Sequence, residues 1–201
     1  QIPMWSSTRC AGPSLAHLTA ACALALAGLA AALGREDPPE PPAPVPAYLD
    51  HARLAGEGRM RWFGFALYDA RLFVASDFDA RDPTASRFVL ELTYARRLAG
   101  RSIADRSRDE LERLGFGSAA ERARWHASML RIFPDVDTGR RIAGVHLPGR
   151  GARFYFDGRF IGAIEDPQFA RGFFALWLDP RTRAPALRAA LLGRFERQDG
   201  R

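Results

Sequence analysis

Met60-Arg61-Trp62-Phe63-Gly64-Phe65-Ala66-Leu67-Tyr68-Asp69-Ala70-Arg71-Leu72-Phe73-Val74 is the stretch on which the fold turns. Its aromatic and branched residues suit a pleated, well-buried surface, and Gly64 interrupts them near the middle. The run therefore predicts one long central strand with a bend or bulge, or two strands in succession. Working outward, Phe88, Leu90, Leu92 and Tyr94 alternate with Val89, Glu91, Thr93 and Ala95, which predicts a half-buried strand. Ser102 to Leu114 changes to helical period, with Ile103, Leu111 and Leu114 on one stripe and Gly115 as the stop. Ser118-Ala-Ala-Glu121 is a capping box that opens a second helix carrying Trp125, Met129 and Phe133, ended by Pro134.

Strands are expected again at Ile142 to Leu147 and Ala152 to Phe156. The turn Phe156-Asp157-Gly158-Arg159 has the Asp-Gly pair that a two-residue hairpin prefers. Asp166-Pro167 caps a third helix with Phe169, Phe173 and Trp177, stopped by Asp179-Pro180. Ala184-Pro185 starts a fourth with Leu187, Leu191 and Phe195. Hairpin-linked strands imply a mainly antiparallel sheet, and the apolar helix stripes need a sheet face to cover. The expected class is α+β, with one sheet backed by helices.

The 201-residue chain has a formal net charge of +6, carried by 29 arginines and no lysine, and it lacks asparagine as well. Losing both residue types together points to a composition bias, and no single-sign run exists, so a nucleic-acid partner is not expected. Disorder is excluded for most of the chain by a content of 47% hydrophobic and 11% aromatic residues.

Leu15 to Leu33 is small and apolar, with Arg9 before it and Ala30-Ala31-Ala32 before the polar Arg35-Glu36-Asp37. Residues 1–34 are expected to be a signal peptide, with residues 1–3 a possible upstream extension of Met4. A retained membrane anchor is the alternative. Periplasmic or secreted location follows from the first, and the membrane is met only through the leader. Cys10 and Cys22 both lie in it. Residues 35–47 hold six prolines between Pro38 and Pro46 and read as a stiff spacer. A domain over 48–197 and a short tail over 198–201 complete the division.

His51, His126 and His146 lack a second ligand at metal spacing, so no metal and no cofactor are expected. Asp135-Val-Asp137-Thr-Gly139 lacks the later ligands of a calcium loop and reads as a turn. Gly56-Glu-Gly58 is too short for a nucleotide fingerprint. Arg59 and Arg61 alternate out of the strand that carries Trp62 and Tyr68. An arginine with a tyrosine in an apolar cleft can clamp a carboxylate or phenolate, while both arginines as solvated residues at a strand entrance is the plainer alternative.

Several of these segments, in collinear order, resemble the chalcone isomerase-like proteins in their stand-alone bacterial form. They are Leu54-Ala-Gly56-Glu-Gly58-Arg59, Phe65-Ala66-Leu67-Tyr68-Asp69-Ala70-Arg71-Leu72, Leu90-Glu-Leu92-Thr-Tyr94, Phe133-Pro134-Asp135-Val136, Phe154-Tyr155-Phe156-Asp157-Gly158-Arg159, and Phe169 to Phe174 with Trp177 to Thr182. The resemblance spans about Leu54 to Gly193. It implies an open-faced β-sandwich with a cleft between sheet and helices. In plant members that cleft cyclises a chalcone with the help of an arginine, a threonine and a tyrosine, and related members hold a fatty-acid carboxylate. Here Phe63-Gly64-Phe65 stands where the threonine would fall, and Arg101-Ser102-Ile103 where the tyrosine would. Only the arginine has a counterpart, as Arg59 or Arg61.

Together with the leader, the resemblance implies an exported domain without chalcone isomerase activity that binds a small apolar or fatty-acid-like anionic ligand. Arg59 or Arg61 would hold the head, and Trp62, Phe65, Tyr68 and Tyr94 would line the apolar part. The alternatives are an intramolecular lyase acting on an enone-like substrate, and a structural or partner-binding envelope protein.

Overall fold

A computed structural model describes residues 44–196, with side chains up to position 193. The leader with its two cysteines, most of the proline spacer, the side chain of Phe195 and the tail lie outside the described residues.

Six strands form one antiparallel sheet in chain order: β1 Arg53–Trp62, β2 Phe65–Val74, β3 Phe88–Tyr94, β4 Arg141–Leu147, β5 Gly151–Phe156 and β6 Arg159–Ile164. The helices are α1 Val45–Tyr48, α2 Gly100–Leu114, α3 Ala119–Ile132, α4 Pro167–Leu178 and α5 Pro185–Glu196. The antiparallel α+β architecture is the one the sequence implies. The aromatic run resolves into two strands joined by the tight turn Phe63-Gly64, whose residues have φ of 47° and 82°. The β5–β6 turn, at Asp157-Gly158, has nearly the same pair of angles, 45° and 81°. Asp and Gly suit that conformation, whereas a bulky Phe adopts it at a cost.

Strand β1 begins earlier than the aromatic run does, and the reason lies in the two glycines before it. A side chain at Gly56 would collide with the backbone of Ala190 and Leu191, and one at Gly58 with the side chains of Ala190 and Leu187. The Gly-x-Gly pair is therefore the seat of α5 on the sheet, not a phosphate loop.

Helices α2 to α5 cover one sheet face. Phe88, Leu90, Leu92 and Tyr94 of β3 meet Phe154, Phe173, Phe174 and Trp177 there. The other face is partly covered as well. Val45, Leu49, Phe73, Val89, Ala143 and Val145 form a second, smaller core. Strand β3 is thus buried on both sides rather than half-buried, including Glu91. This second core also shortens the spacer. Val45 is fully buried and starts a helical turn with Pro46 in its first turn, where a missing N–H costs nothing. Residues 44–47, expected to belong to an extended spacer, are instead a turn and a short helix that packs on the sheet.

The expected caps form. Ser118 and Glu121 exchange both hydrogen bonds of the capping box at α3. The Asp166 carboxylate accepts from the amides of Gln168 and Phe169 at α4, and its second oxygen accepts from the indole of Trp125 at 2.8 Å. Asp135 has a structural use. Its Oδ1 accepts from the Gly100 amide at 2.9 Å and so caps α2.

Candidate functional site

Between the helix-covered sheet face and helices α2 and α4 lies a cavity of about 530 Å³. Its floor is Leu90, Leu92, Tyr94, Ile142 and Phe154, and its roof is Ile103, Phe173 and Trp177. The volume falls in the range of small-molecule sites, and so does the mix of apolar walls with a few polar groups.

A bulge in the β1–β2 register shapes one wall. Met60 pairs with Tyr68 and the next residue, Arg61, pairs with Ala66, so β2 carries one extra residue. Leu67 and Tyr68 consequently both border the cavity, opposite Met60. Beyond the bulge Trp62 also borders it. Its partner Phe65 shares that face but projects past the cavity and is 67% exposed.

The two arginines of the anion-clamp expectation are elsewhere. Arg59 is cross-strand partner to Asp69 and forms a bidentate pair with it, Nε to Oδ1 at 2.6 Å and Nη2 to Oδ2 at 2.8 Å. The hydrogen bond from Arg59 holds the Asp69 carboxyl below the usual carboxylate range. Arg61 donates to the Gly64 carbonyl at 3.2 Å and contributes to the same lowering of Asp69. Both sit on the sheet face away from the cavity. The expectation that either holds a ligand head inside the cleft is corrected, because strand alternation sends Met60 and Trp62 inward and their neighbours outward. A lyase built on a tyrosine and one of these arginines loses its geometry for the same reason.

Of the six expected residues, the cavity brings together Trp62, Tyr68 and Tyr94. Tyr68 and Tyr94 are cross-strand partners with ring centroids 5.9 Å apart, edge to face. Trp177 Nε1 donates to the Tyr68 hydroxyl at 3.0 Å. The Tyr94 hydroxyl has no hydrogen-bond partner among the described residues. Burial pushes the Tyr68 phenol up to about 12, partly offset by the Trp177 bond. Burial raises Tyr94 too, with Tyr68 adding to it. At neutral pH both are therefore uncharged hydroxyls that can donate to a ligand oxygen but not act as bases.

The cations at the cavity are Arg96, Arg106 and Arg183. Arg183 is committed to Glu110 at 3.2 Å, and Glu110 also receives Arg113 at 2.7 Å. Arg106 lies over the Trp62 ring, 4.8 Å from its centroid. Arg96, in the loop after β3, is exposed and has no ion pair among the described residues. These arginines lie outside the strands, so strand alternation says nothing of them. Arg106 had a legible signal, since it is one turn on from Ile103 on α2. Arg96 had none.

Other polar groups of the lining are used internally. Ser107 Oγ donates to the Ile103 carbonyl at 2.8 Å and Thr182 Oγ1 to the Leu176 carbonyl at 2.6 Å. No cluster of three His, Cys, Asp or Glu side chains able to hold a metal occurs among the described residues.

Residues 45–193 match the sequence model of a protein family described as chalcone isomerase-like. Among solved structures, a fatty-acid binding protein from Arabidopsis thaliana aligns with a TM-score of 0.58 at 14% sequence identity. The alignment covers 72% of this chain and 88% of that one, and at this identity the likeness is one of fold. No curated protein matches the chain by sequence.

Proposed function

The chain belongs to the chalcone isomerase-like family, and on that premise we propose that it binds a single-tailed apolar ligand with an anionic head, of fatty-acid type, without transforming it. The observation that carries this reading is the cavity of about 530 Å³, mostly apolar in its floor and roof, with Arg96 and Arg106 among its lining residues. The tail would lie against Leu90, Leu92, Ile142 and Phe173. The head would take Arg96, the Tyr94 hydroxyl, or both, since each has unused donors. The name of the Arabidopsis fold neighbour supports the same class of ligand.

One feature favours holding over chemistry. The arginine pair that the cyclising chemistry would draw on is engaged on the far sheet face. The reading includes export by residues 1–34, supported by the apolar run from Leu15 to Leu33 and the small residues Ala30-Ala31-Ala32.

Native mass spectrometry of the purified chain, with thermal melting across saturated and unsaturated fatty acids, tests the proposal. Co-purified acids of a narrow length range, and a melting temperature that rises with added acid, are expected. An empty protein whose melting is unmoved by the whole panel would overturn it.

A further inference from the structure

The β1–β2 turn is occupied by a residue that neither its backbone nor its packing explains. Phe63 sits at φ 47°, in a turn position that favours Asn, Asp or Gly, and is 86% exposed. The equivalent position of the β5–β6 turn has Asp157 at φ 45°. The ring contact of Phe63 is an edge-to-face approach to Trp62 at 5.1 Å, and Trp62 is itself partly exposed. Phe65, on the far side of the turn, is exposed too. Three aromatic rings thus crown one hairpin tip.

Charge surrounds them. The loop after β3, the start of β4 and the β5–β6 turn lie at the same end of the sheet, because Tyr68 pairs with Tyr94, Thr93 with Arg141 and Ile142 with Phe156. Arg61, Arg96, Arg97 and Arg159 are exposed there and form no salt bridge among the described residues. The acids nearby are largely taken, Asp69 by Arg59 and Asp157 by Arg140 at 2.7 Å, which leaves Asp137 as an exposed carboxylate of these loops.

We propose that this hairpin tip docks on an anionic phospholipid surface. The rings of Trp62, Phe63 and Phe65 would enter the interfacial layer, and the arginines would sit over the headgroups. A second copy or a protein partner fits less well. The three rings expose on the order of 400 Å² at about 200 Å² per aromatic side chain, roughly half of the ~800 Å² that each side of a stable protein interface buries. A two-residue turn is also convex, with no groove to receive a partner. The site adjoins the cavity, since Met60, Trp62 and Leu67 belong to its wall. Docking would bring the cavity mouth to the lipid.

Backbone amide hydrogen exchange of the full chain, with and without vesicles, tests this independently of any fatty acid. The vesicles are phosphatidylcholine alone and phosphatidylcholine with about 30% phosphatidylglycerol. Exchange at residues 62–65 is expected to slow at least fivefold on the anionic vesicles and less on the neutral ones. In the F63D/F65S variant, where Asp suits the turn, the protection should vanish while the melting temperature holds. Unchanged exchange at 62–65 on vesicles that carry the chain through its apolar residues 15–33 would overturn the proposal. So would protection that needs no vesicle and accompanies a doubled mass in light scattering. A protein that binds fatty acids but shows no protection at 62–65 would keep the ligand reading and lose this one.

Discussion

The indole of Trp177 donates to the Tyr68 hydroxyl at 3.0 Å, tying the helical roof of the cavity to its sheet floor. Trp177 is buried and Tyr68 half-buried, so the bond is largely shielded from bulk water. Tyr68→Phe would leave the Trp177 N–H unsatisfied, and an orphaned buried donor costs about 1–3 kcal/mol. Urea denaturation should show that loss for Tyr68→Phe. Trp177→Phe in the Tyr68→Phe background should cost less than Trp177→Phe alone, as a double-mutant cycle would report.

Arg96 and Arg59 should separate in a binding assay. A charge-assisted hydrogen bond contributes about 1.5–3 kcal/mol when well formed, and somewhat less at an exposed mouth. Arg96→Gln is therefore expected to weaken fatty-acid binding about tenfold in a fluorescence displacement titration. Arg59→Gln, on the opposite face and paired to Asp69, should leave it unchanged. Equal losses from both would remove Arg96 as the head contact.

Stability should fall with acid before the carboxylates titrate. His146 is buried and stacked on Phe88 at 4.8 Å between ring centroids, with Nδ1 2.9 Å from the Ser86 carbonyl. Burial lowers its pKa below the ordinary histidine value of about 6.5. The unfolded chain therefore binds the proton more readily. Stability is full above about pH 6.5 and is lost as pH falls from there through the folded pKa, by up to about 1.4 kcal/mol per pH unit. Asp179, lowered by its hydrogen bond from Arg181, adds its own loss below about pH 4. Thermal melts from pH 8 to 4 should show the first slope in the wild type and its absence in His146→Gln.

Gly56→Ala should be among the most disruptive small changes in the chain. The added methyl meets the backbone of α5 at Ala190 and Leu191, which cannot turn aside as a side chain can. Overpacking of this kind costs about 1–3 kcal/mol or more. Circular dichroism melts are expected to show the drop, with α5 becoming the most protease-sensitive helix. A melting temperature within a degree of wild type would mean that α5 is not seated there in solution.

Local chemistry made much of the fold legible. Asp157-Gly158, Ser118 with Glu121, and Asp166-Pro167 each act within a few residues, so turn, box and cap could be read from spacing alone. Phe63-Gly64 was harder, because a Phe in a left-handed turn has no local signature. The line of Phe169, Phe173 and Trp177 announced an apolar helix stripe but not which floor it would cover.

The residues by themselves therefore determined an antiparallel α+β domain; of the lining set they suggested, Trp62, Tyr68 and Tyr94 border the cavity and Phe65 does not. What only the tertiary structure decided was which cations the cavity sees. Alternation along β1 turns Arg59 and Arg61 outward, where Asp69 and the Gly64 carbonyl take them. Arg96 and Arg106 arrive from a loop and a helix far along the chain, through strand pairing and helix packing that no sequence period encodes. Val45 illustrates the same limit, since its neighbouring prolines describe a spacer and only the second sheet face provides the core that buries it.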